Sequence, residues 1–441
     1  MNTVKLSVGL PVPAITVDRY TRGVIGPDMP MLGPLEDGGI ISTGTPPGCW
    51  GPMITPQFHG GHEVTQPVAV AGAKVGDAIA IELLKVRVTS NASASGVMDF
   101  VEGRYTGDPF VAKFCPQCGT ASPASHIEGI GQEAVHCDIC GAEVSAFRFK
   151  NGYVMVFDHE RGVGLTVDRQ AAEAIAQRAR EHALMPDAAE QHSILTFAPA
   201  DVPGVVSRIK PFMGNIGTVP SRALPDSHNC GDFGAFVIDA PHELGMSREE
   251  LYRHKTDGHM DNNAVCEGAI VICPVKVPGG GVYVGDMHAM QGNGEVAVHT
   301  TDVAGQVELR VSVLKGLGND GPIIFPNLED LPPLARPLSP ETRLAALALA
   351  RRYGSSIVEN AAPIQFIGSG DDLNAATENG LQRAAAVCGL DYDEVRNRAT
   401  IAGAIDIARL PGVVKVTFLC PLERLDRVGL GAIARRKYEL A

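Results

Sequence analysis

Two cysteine pairs carry the most specific chemical signal in the chain. They are Cys115-Pro116-Gln117-Cys118-Gly119 and Cys137-Asp138-Ile139-Cys140-Gly141, with eighteen residues between Cys118 and Cys137. Two residues between cysteines let both thiolates of a pair face one ion from a tight knuckle. The glycine that follows admits the turn that brings backbone amides to the sulfur. Four thiolates suit a tetrahedral zinc ion, and the spacing is that of a zinc ribbon; iron held by four sulfurs looks similar. The expected site is closed and structural. It holds an excursion of about thirty residues that is too small to build its own core. Glu128, Glu133, Asp138 and Glu143 surround it and Lys113 is the nearest base, so no nucleic acid is expected there.

A second polar set is spread over two segments. Gly258-His259-Met260-Asp261-Asn262-Asn263 precedes Gly285-Asp286-Met287-His288-Ala289-Met290-Gln291-Gly292-Asn293-Gly294-Glu295. The glycines of the second segment imply a strained or closely approached backbone presenting Asp286, His288, Gln291, Asn293 and Glu295. Histidine and carboxylates converging on one point form the ligand set of a hydrolytic zinc or a related divalent ion. A plainer reading accounts for the same spacing at least as well: Asx-turns at Asp286 and Asn293, a hydrogen-bonded buried His288, and surface Gln291 and Glu295. His59-Gly60-Gly61-His62-Glu63 offers two more imidazoles, a weaker signal because such loop pairs are more often exposed. Cys49, Cys230, Cys266, Cys273, Cys388 and Cys420 read as buried apolar residues.

The elements that must position these groups read mainly as short strands. Val68–Val70, Ile79–Leu83, 144–159, Ile270–Val277, Gly281–Val284, Glu295–His299 and Val307–Leu314 carry β-rich or alternating patterns. The first convincing helix is Gln170–Leu184, with Asp168 as its N-cap and Pro186 beyond it. Helices at Thr342–Tyr353, Asp371–Gly389 and Asp393–Ala404 follow, then a strand at Val413–Phe418. The expected fold is mainly β: a sandwich or barrel-like body with a zinc-ribbon insertion and a C-terminal α/β region. The expected divisions are a β-rich N-terminal part of the catalytic body (1–112), the ribbon (113–143), the β-rich catalytic body (144–330) and the C-terminal region (331–441).

Composition fits that picture. The 441 residues include 50 Gly and 31 Pro, with 45% hydrophobic and 20% charged residues, which describes a folded chain that turns often. Lys and Arg total 37 against 50 Asp and Glu, a net charge of −13 that argues against a general nucleic-acid surface. No apolar run approaches the ~18 residues of a membrane-spanning helix, and no basic-then-apolar leader is read, so no membrane partner is expected. Scattered thiols suit a reducing compartment, so a cytoplasmic location is expected. A homo-oligomer is expected on general grounds.

Three segments give the chain a resemblance to a known family: Thr65-Gln66-Pro67-Val68-Ala69-Val70-Ala71-Gly72-Ala73-Lys74-Val75-Gly76-Asp77, Pro211-Phe212-Met213-Gly214-Asn215-Ile216-Gly217-Thr218-Val219-Pro220, and Val277 through Glu295. The sequence resembles the acetamidase/formamidase family over about residues 55–325 and, more faintly, to Leu422. Against the family's GGN-x-D element this chain has Asp257-Gly258-His259-Met260-Asp261, and against GDGE it has Gly292-Asn293-Gly294-Glu295. The ribbon reads as an insertion, and Asn229–Lys255 as an expansion.

The resemblance implies hydrolysis of a small aliphatic amide, formamide- or acetamide-like, to a carboxylate and ammonia. A Gly-x-Ser-x-Gly nucleophile elbow is missing from the sequence. On this reading a second divalent ion, zinc by expectation, is held by some of His288, Asp286 and Asp261, with His59 and His62 as weaker candidates. Glu295 takes a proton from water and passes it to the leaving nitrogen, while Asn293 and His259 hydrogen-bond the amide or the developing oxyanion. The alternative assignment makes Glu295 a ligand and Asp261 the base. The changes at 259 and 293 leave open another C–N bond, in a ureido, guanidino or carbamoyl compound. A noncatalytic zinc-stabilised binding protein is the alternative of a different class.

Overall fold

Successive side chains of a strand face opposite ways, so a strand that is apolar on both faces needs two cores. Along Ala78–Val88, Ile79, Ile81 and Leu83 enter one core, while Ala78 and Ala80 enter another. The neighbouring Ile270–Pro274 repeats this, with Val271 and Cys273 on one side and Ile270 and Ile272 on the other. These strands lie in a nine-stranded sheet of a computed structural model that describes residues 12–231, 233–355 and 360–440. The sheet order is Ala14–Val17, Ile40–Thr45, Gly305–Leu314, Ala78–Val88, Ile270–Pro274, Ile323–Phe325, Ala361–Ser369, Val413–Pro421 and Gly403–Arg409. The first pair is parallel and the other pairings are antiparallel.

One face of this sheet packs on a smaller sheet built from Phe212–Thr218, Val282–His288, Val68–Val70 and Leu32–Leu35, with Asp302–Val303 beside Val282–His288. The shared core includes Ile81, Val271, Leu309, Val70, Ile216 and Val284. The other face is covered by helices Leu373–Cys388, Tyr392–Ala402 and Gly431–Tyr438. The fold is therefore mainly β, a sandwich body with a C-terminal α/β region. A third sheet, Val206–Arg208, Val163–Thr166, Phe147–Asp158 and Ala92–Phe100, carries the ribbon between its last two strands. Among the described residues, no helix is long and apolar enough to cross a membrane.

The structure departs from the expected elements at informative places. Val68–Val70 and Ala78–Val88 are both strands, and they enter different sheets. The helix expected at 170–184 is two shorter ones, Arg169–Ala176 and Ala179–Ala183; Asp168 caps the first, accepting from the Ala171 amide. Glu295–His299 is a turn. Glu295 and Val298 have φ of +40° and +74°, left-handed values that no strand accommodates. In the C-terminal region, Ala361–Ser369 and Gly403–Arg409 are strands unmarked by the sequence reading, and through them the region continues the central sheet.

Candidate active site

Every residue of Val282–His288 is buried, so this strand delivers a carboxylate and an imidazole into the interior. Phe212–Thr218 pairs with it, Asn215 opposite Gly285, and Asp302 stands opposite His288 on the other side. The loop Gly258–Asp261 lies against Phe212–Thr218: the Met260 and Asp261 amides donate to the Gly214 carbonyl at 3.0 and 3.1 Å. Gly214 leaves room for two carboxylates. A Cβ there would stand 2.4 Å from Asp261 Oδ1 and 2.6 Å from Asp286 Oδ2. Asp261 and Asp286 both adopt left-handed backbone, with φ of +44° and +55°, strain of a kind that concentrates at functional sites.

Five of the residues singled out in the sequence meet here. His288 Nε2 is 3.1 Å from Asp286 Oδ1 and 3.9 Å from Asp261 Oδ1. His259 Nε2 is 3.2 Å from Asp261 Oδ2 and 3.5 Å from Asp286 Oδ2. His62 Nε2 is 3.4 Å from Asp286 Oδ2. Glu295 is buried close by, its carboxyl pushed well above the usual range by burial and then by the Asp261 charge. Gln291 locks the arrangement: it donates to the Asp261 carbonyl at 2.8 Å and its Oε1 accepts from His288 Nδ1 at 3.0 Å. His59 and Asn293 are not in the cluster. His59 is exposed and bonds Glu243, and Asn293 is exposed and bonds Asn263 and Lys415.

Several members carried no sequence signal. Arg409, at the end of Gly403–Arg409, reaches Asp261 and lies 2.8 Å from His259 Nε2. Asp226 binds the His62 amide and faces His62 Nδ1 at 3.1 Å. Cys49 Sγ sits 2.8 Å from His62 Nε2. Asp302 Oδ1 is 3.4 Å from His288 Nε2.

The hydrogen bonds assign protons. Ser227 O can only accept, so His259 Nδ1, 2.6 Å away, carries a hydrogen. Its Nε2 then accepts from Arg409, and burial and Arg409 together push the imidazole below its ordinary pKa. The single Nε2 lone pair is thereby taken by Arg409, so the Asp261 and Asp286 oxygens 3.2 and 3.5 Å from Nε2 receive no proton from this imidazole. Both oxygens of Asp286 and Oδ1 of Asp261 are buried without a hydrogen-bond donor, which is costly unless a charge partner is supplied. Asp261, Asp286 and His288 offer ligand atoms within 4.8 Å of one another, as do Cys49, His62, His259 and Asp286; the two sets share Asp286. The residues present thus fit a divalent cation. Burial lowers the pKa of His62, but Asp286 and Asp226 outweigh it and raise it to about 9; burial and then Asp286 raise Asp302 to about 8.

The comparisons with known proteins bear on family and fold. The profile of the acetamidase/formamidase family matches residues 50–250 and 248–426. The chain belongs to the acetamidase/formamidase family. The structure is similar to a predicted acetamidase/formamidase from Thermoanaerobacter tengcongensis, with a TM-score of 0.52 and 16% identity over 95% of this chain and 98% of that one. It is also similar to an acetamidase from Bacillus halodurans, with a TM-score of 0.51 and 14% identity over 94% and 99%. At these identities the likeness is one of fold. In sequence, a Schizosaccharomyces pombe protein named for formamidase activity is 27% identical over 131 residues, 23% of this chain and 32% of that protein. The matched part therefore spans about a third of the curated relative.

Within this hydrolase family the chain carries its own features. Asp257, where the family pattern has glycine, sits at φ +56°, a conformation that glycine adopts freely and aspartate at a cost. Its carboxylate is bound by Arg383 at 2.5 Å, Lys255 at 3.1 Å and Ser369 at 3.0 Å, a set of partners that holds the strained turn leading to His259. The inserted cysteine cluster is zinc-ribbon-like. Gly119 and Gly141 take φ of +72° and +73°, and their amides donate to the Cys115 and Cys137 carbonyls. Cys115 and Cys140 sulfurs lie 3.5 Å apart and those of Cys118 and Cys137 3.9 Å apart. Sulfurs at ~2.3 Å from a tetrahedral ion stand ~3.8 Å apart, so the four thiols are spaced for metal and too far apart for disulfides. Cys115, Val135 and Cys137 share a core with Trp50, which follows Cys49 and packs at a tilt against His299, ring centres 4.1 Å apart. The ribbon therefore packs behind the site.

Proposed function

We propose that this chain is a metal-assisted amidohydrolase that converts a small aliphatic amide into a carboxylate and ammonia. The observation that carries this is the convergence of Asp261, Asp286 and His288, with three carboxylate oxygens buried and lacking a hydrogen-bond donor. These ligands suit zinc, which when bound supplies Lewis-acid polarisation of the amide carbonyl and an acidified water. Glu295 moves the proton between the attacking water and the departing nitrogen, which leaves as ammonia only when protonated. Arg409, anchored on Asp261 and His259, stabilises negative charge developing on the carbonyl oxygen, the role the resemblance implied for Asn293 and His259. Gln291 keeps His288 in one tautomer. The four knuckle cysteines hold a second zinc with a structural role.

The test pairs metal content with ammonia release from formamide and acetamide. Two equivalents of metal are expected, one of them lost in His288→Ala. Glu295→Gln should lower kcat by about 10²–10⁴-fold with both metals retained. A single metal unchanged in His288→Ala sinks the metal assignment.

A second reading rests on Cys49, His62 and Asp226, whose contacts of 2.8 and 3.1 Å form a thiol–imidazole–carboxylate relay. In that route Cys49 Sγ bonds to the carbonyl carbon and its proton passes through His62 to the nitrogen. The C–N bond then breaks, ammonia leaves, and water cleaves the thioester to give carboxylate and thiol. Cys49→Ala separates the routes: full turnover with that variant rejects the thiol, and loss of turnover with the metal at Asp286 retained favours it.

A further inference from the structure

An apolar cavity adjoins the polar cluster. Its volume is about 530 Å³, and Val97, Met98, Phe100, Phe233, Phe236 and Val298 line it. No charged side chain contributes to its lining, so nothing in it answers a polar occupant. Val97 and Val298 are 45% and 37% exposed, which places one end of the cavity at the protein surface. Its inner end is Phe233, which is 5% exposed. The Phe233 ring lies under the Arg409 guanidinium at 4.4 Å, 5.8 Å from the His259 ring and 6.2 Å from the His299 ring. The same segments build both sites: Glu295 precedes the lining residues Val296, Ala297 and Val298, and Arg409 precedes Pro411. One aromatic ring thus borders both an apolar cavity open to solvent and the buried polar cluster.

The cavity has room for an aromatic ring. Formamide has no apolar part and acetamide has one methyl group, whereas an apolar cavity of about 150 Å³ already takes a benzene ring. We infer that the preferred substrates are primary amides with an arylalkyl acyl group, of the size of 3-phenylpropanamide. The ring occupies this cavity and the amide passes Phe233 to reach Arg409 and the carboxylates. The inference rests on the amidohydrolase reading and narrows it.

The experiment measures ammonia release by the full, metal-replete chain from acetamide and from 3-phenylpropanamide. Burying a phenyl group at ~1.5–3 kcal/mol predicts kcat/KM about 10–100-fold higher for the aryl amide. Ala235 is an exposed lining residue outside the polar cluster. Ala235→Trp fills the cavity and should remove most of that advantage while leaving acetamide turnover unchanged. In the unaltered chain, 3-phenylpropan-1-ol should compete with acetamide, a check that needs no variant. Turnover of acetamide with no preference for the aryl amide and no competition overturns the inference and leaves the amidase reading standing. Ammonia from neither amide overturns the amidase reading and this inference with it. A dimer that Ala235→Trp dissociates assigns the cavity to a second copy and also overturns the inference.

Discussion

The knuckle cysteines and the buried cluster are both metal-type ligand sets, yet they are built in opposite ways. Cys115 to Cys140 spans one short excursion, its turns closed by local amide-to-carbonyl bonds and part of its sulfur exposed. The cluster gathers Cys49, His62, Asp226, His259, Asp261, Asp286, His288, Asp302 and Arg409, each buried. Its carboxylates depend on left-handed backbone and on a glycine that leaves room for them. A local site tolerates loss of its surroundings; a distributed site fails when any of several elements moves. The first stabilises one insertion, and the second needs the whole sandwich plus the C-terminal strands.

Arg409→Met would break this contrast most severely. It strips the buried cation from Asp261, and breaking a buried pair costs about 3–5 kcal/mol. Urea unfolding should show that loss together with loss of turnover; a change under ~1 kcal/mol would mean that another charge balances Asp261. Cys137→Ala comes next. It should release one metal and cost about 2–5 kcal/mol, the scale of a lost cross-link, with turnover per folded molecule kept. Equal damage to metal at both sites would deny that the ribbon is an independent unit.

Gly214→Ala is a smaller perturbation, about 1–3 kcal/mol of overpacking. Because the atoms nearest the new methyl are the Asp261 and Asp286 carboxylate oxygens and the Asp286 carbonyl, metal binding at those carboxylates should weaken more than thermal stability; the reverse order would argue against a shared ligand site. The mildest test uses pH. Burial raises the Asp108 carboxyl, but His228 and His242 outweigh it and hold it below the ordinary value. The depressed folded value makes its stabilisation complete above the unfolded pKa of ~3.9 and lost as pH falls below it. Asp108→Asn should therefore flatten the acid limb of the stability curve. An unchanged acid limb would show that this contact, which ties the approach to the ribbon to the loop bearing Asp226, is not ionic.

Legibility followed the same division. The cysteine spacing was readable because ligand geometry and sequence distance coincide in a knuckle. Asp286, His288, His259 and Asp261 were readable as candidates through their glycine-rich settings and the family resemblance, while spacing alone left the plainer reading open. His59 looked equivalent in sequence to His62, and Asn293 was read with Asp286 as part of one glycine-rich segment. Exposure separates the members of each pair, and it depends on what packs above each position. Arg409 ends a strand whose first residues carried a helical pattern, and Cys49 looked like any buried thiol.

A β-rich body and a four-cysteine ribbon were legible in the chain because period-two burial and knuckle spacing are properties of short windows, and three motif segments carried the family resemblance. Which polar residues share a site emerged only once the sheets packed. The ends of Val282–His288 and Gly403–Arg409 are more than a hundred residues apart in sequence. They meet because the smaller sheet packs on one face of the central sheet, and the edge strand Gly403–Arg409 bridges at Arg409 to Gly294, in the loop that follows Val282–His288. There Arg409 lies over Phe233, with the acidic cluster beside an apolar cavity.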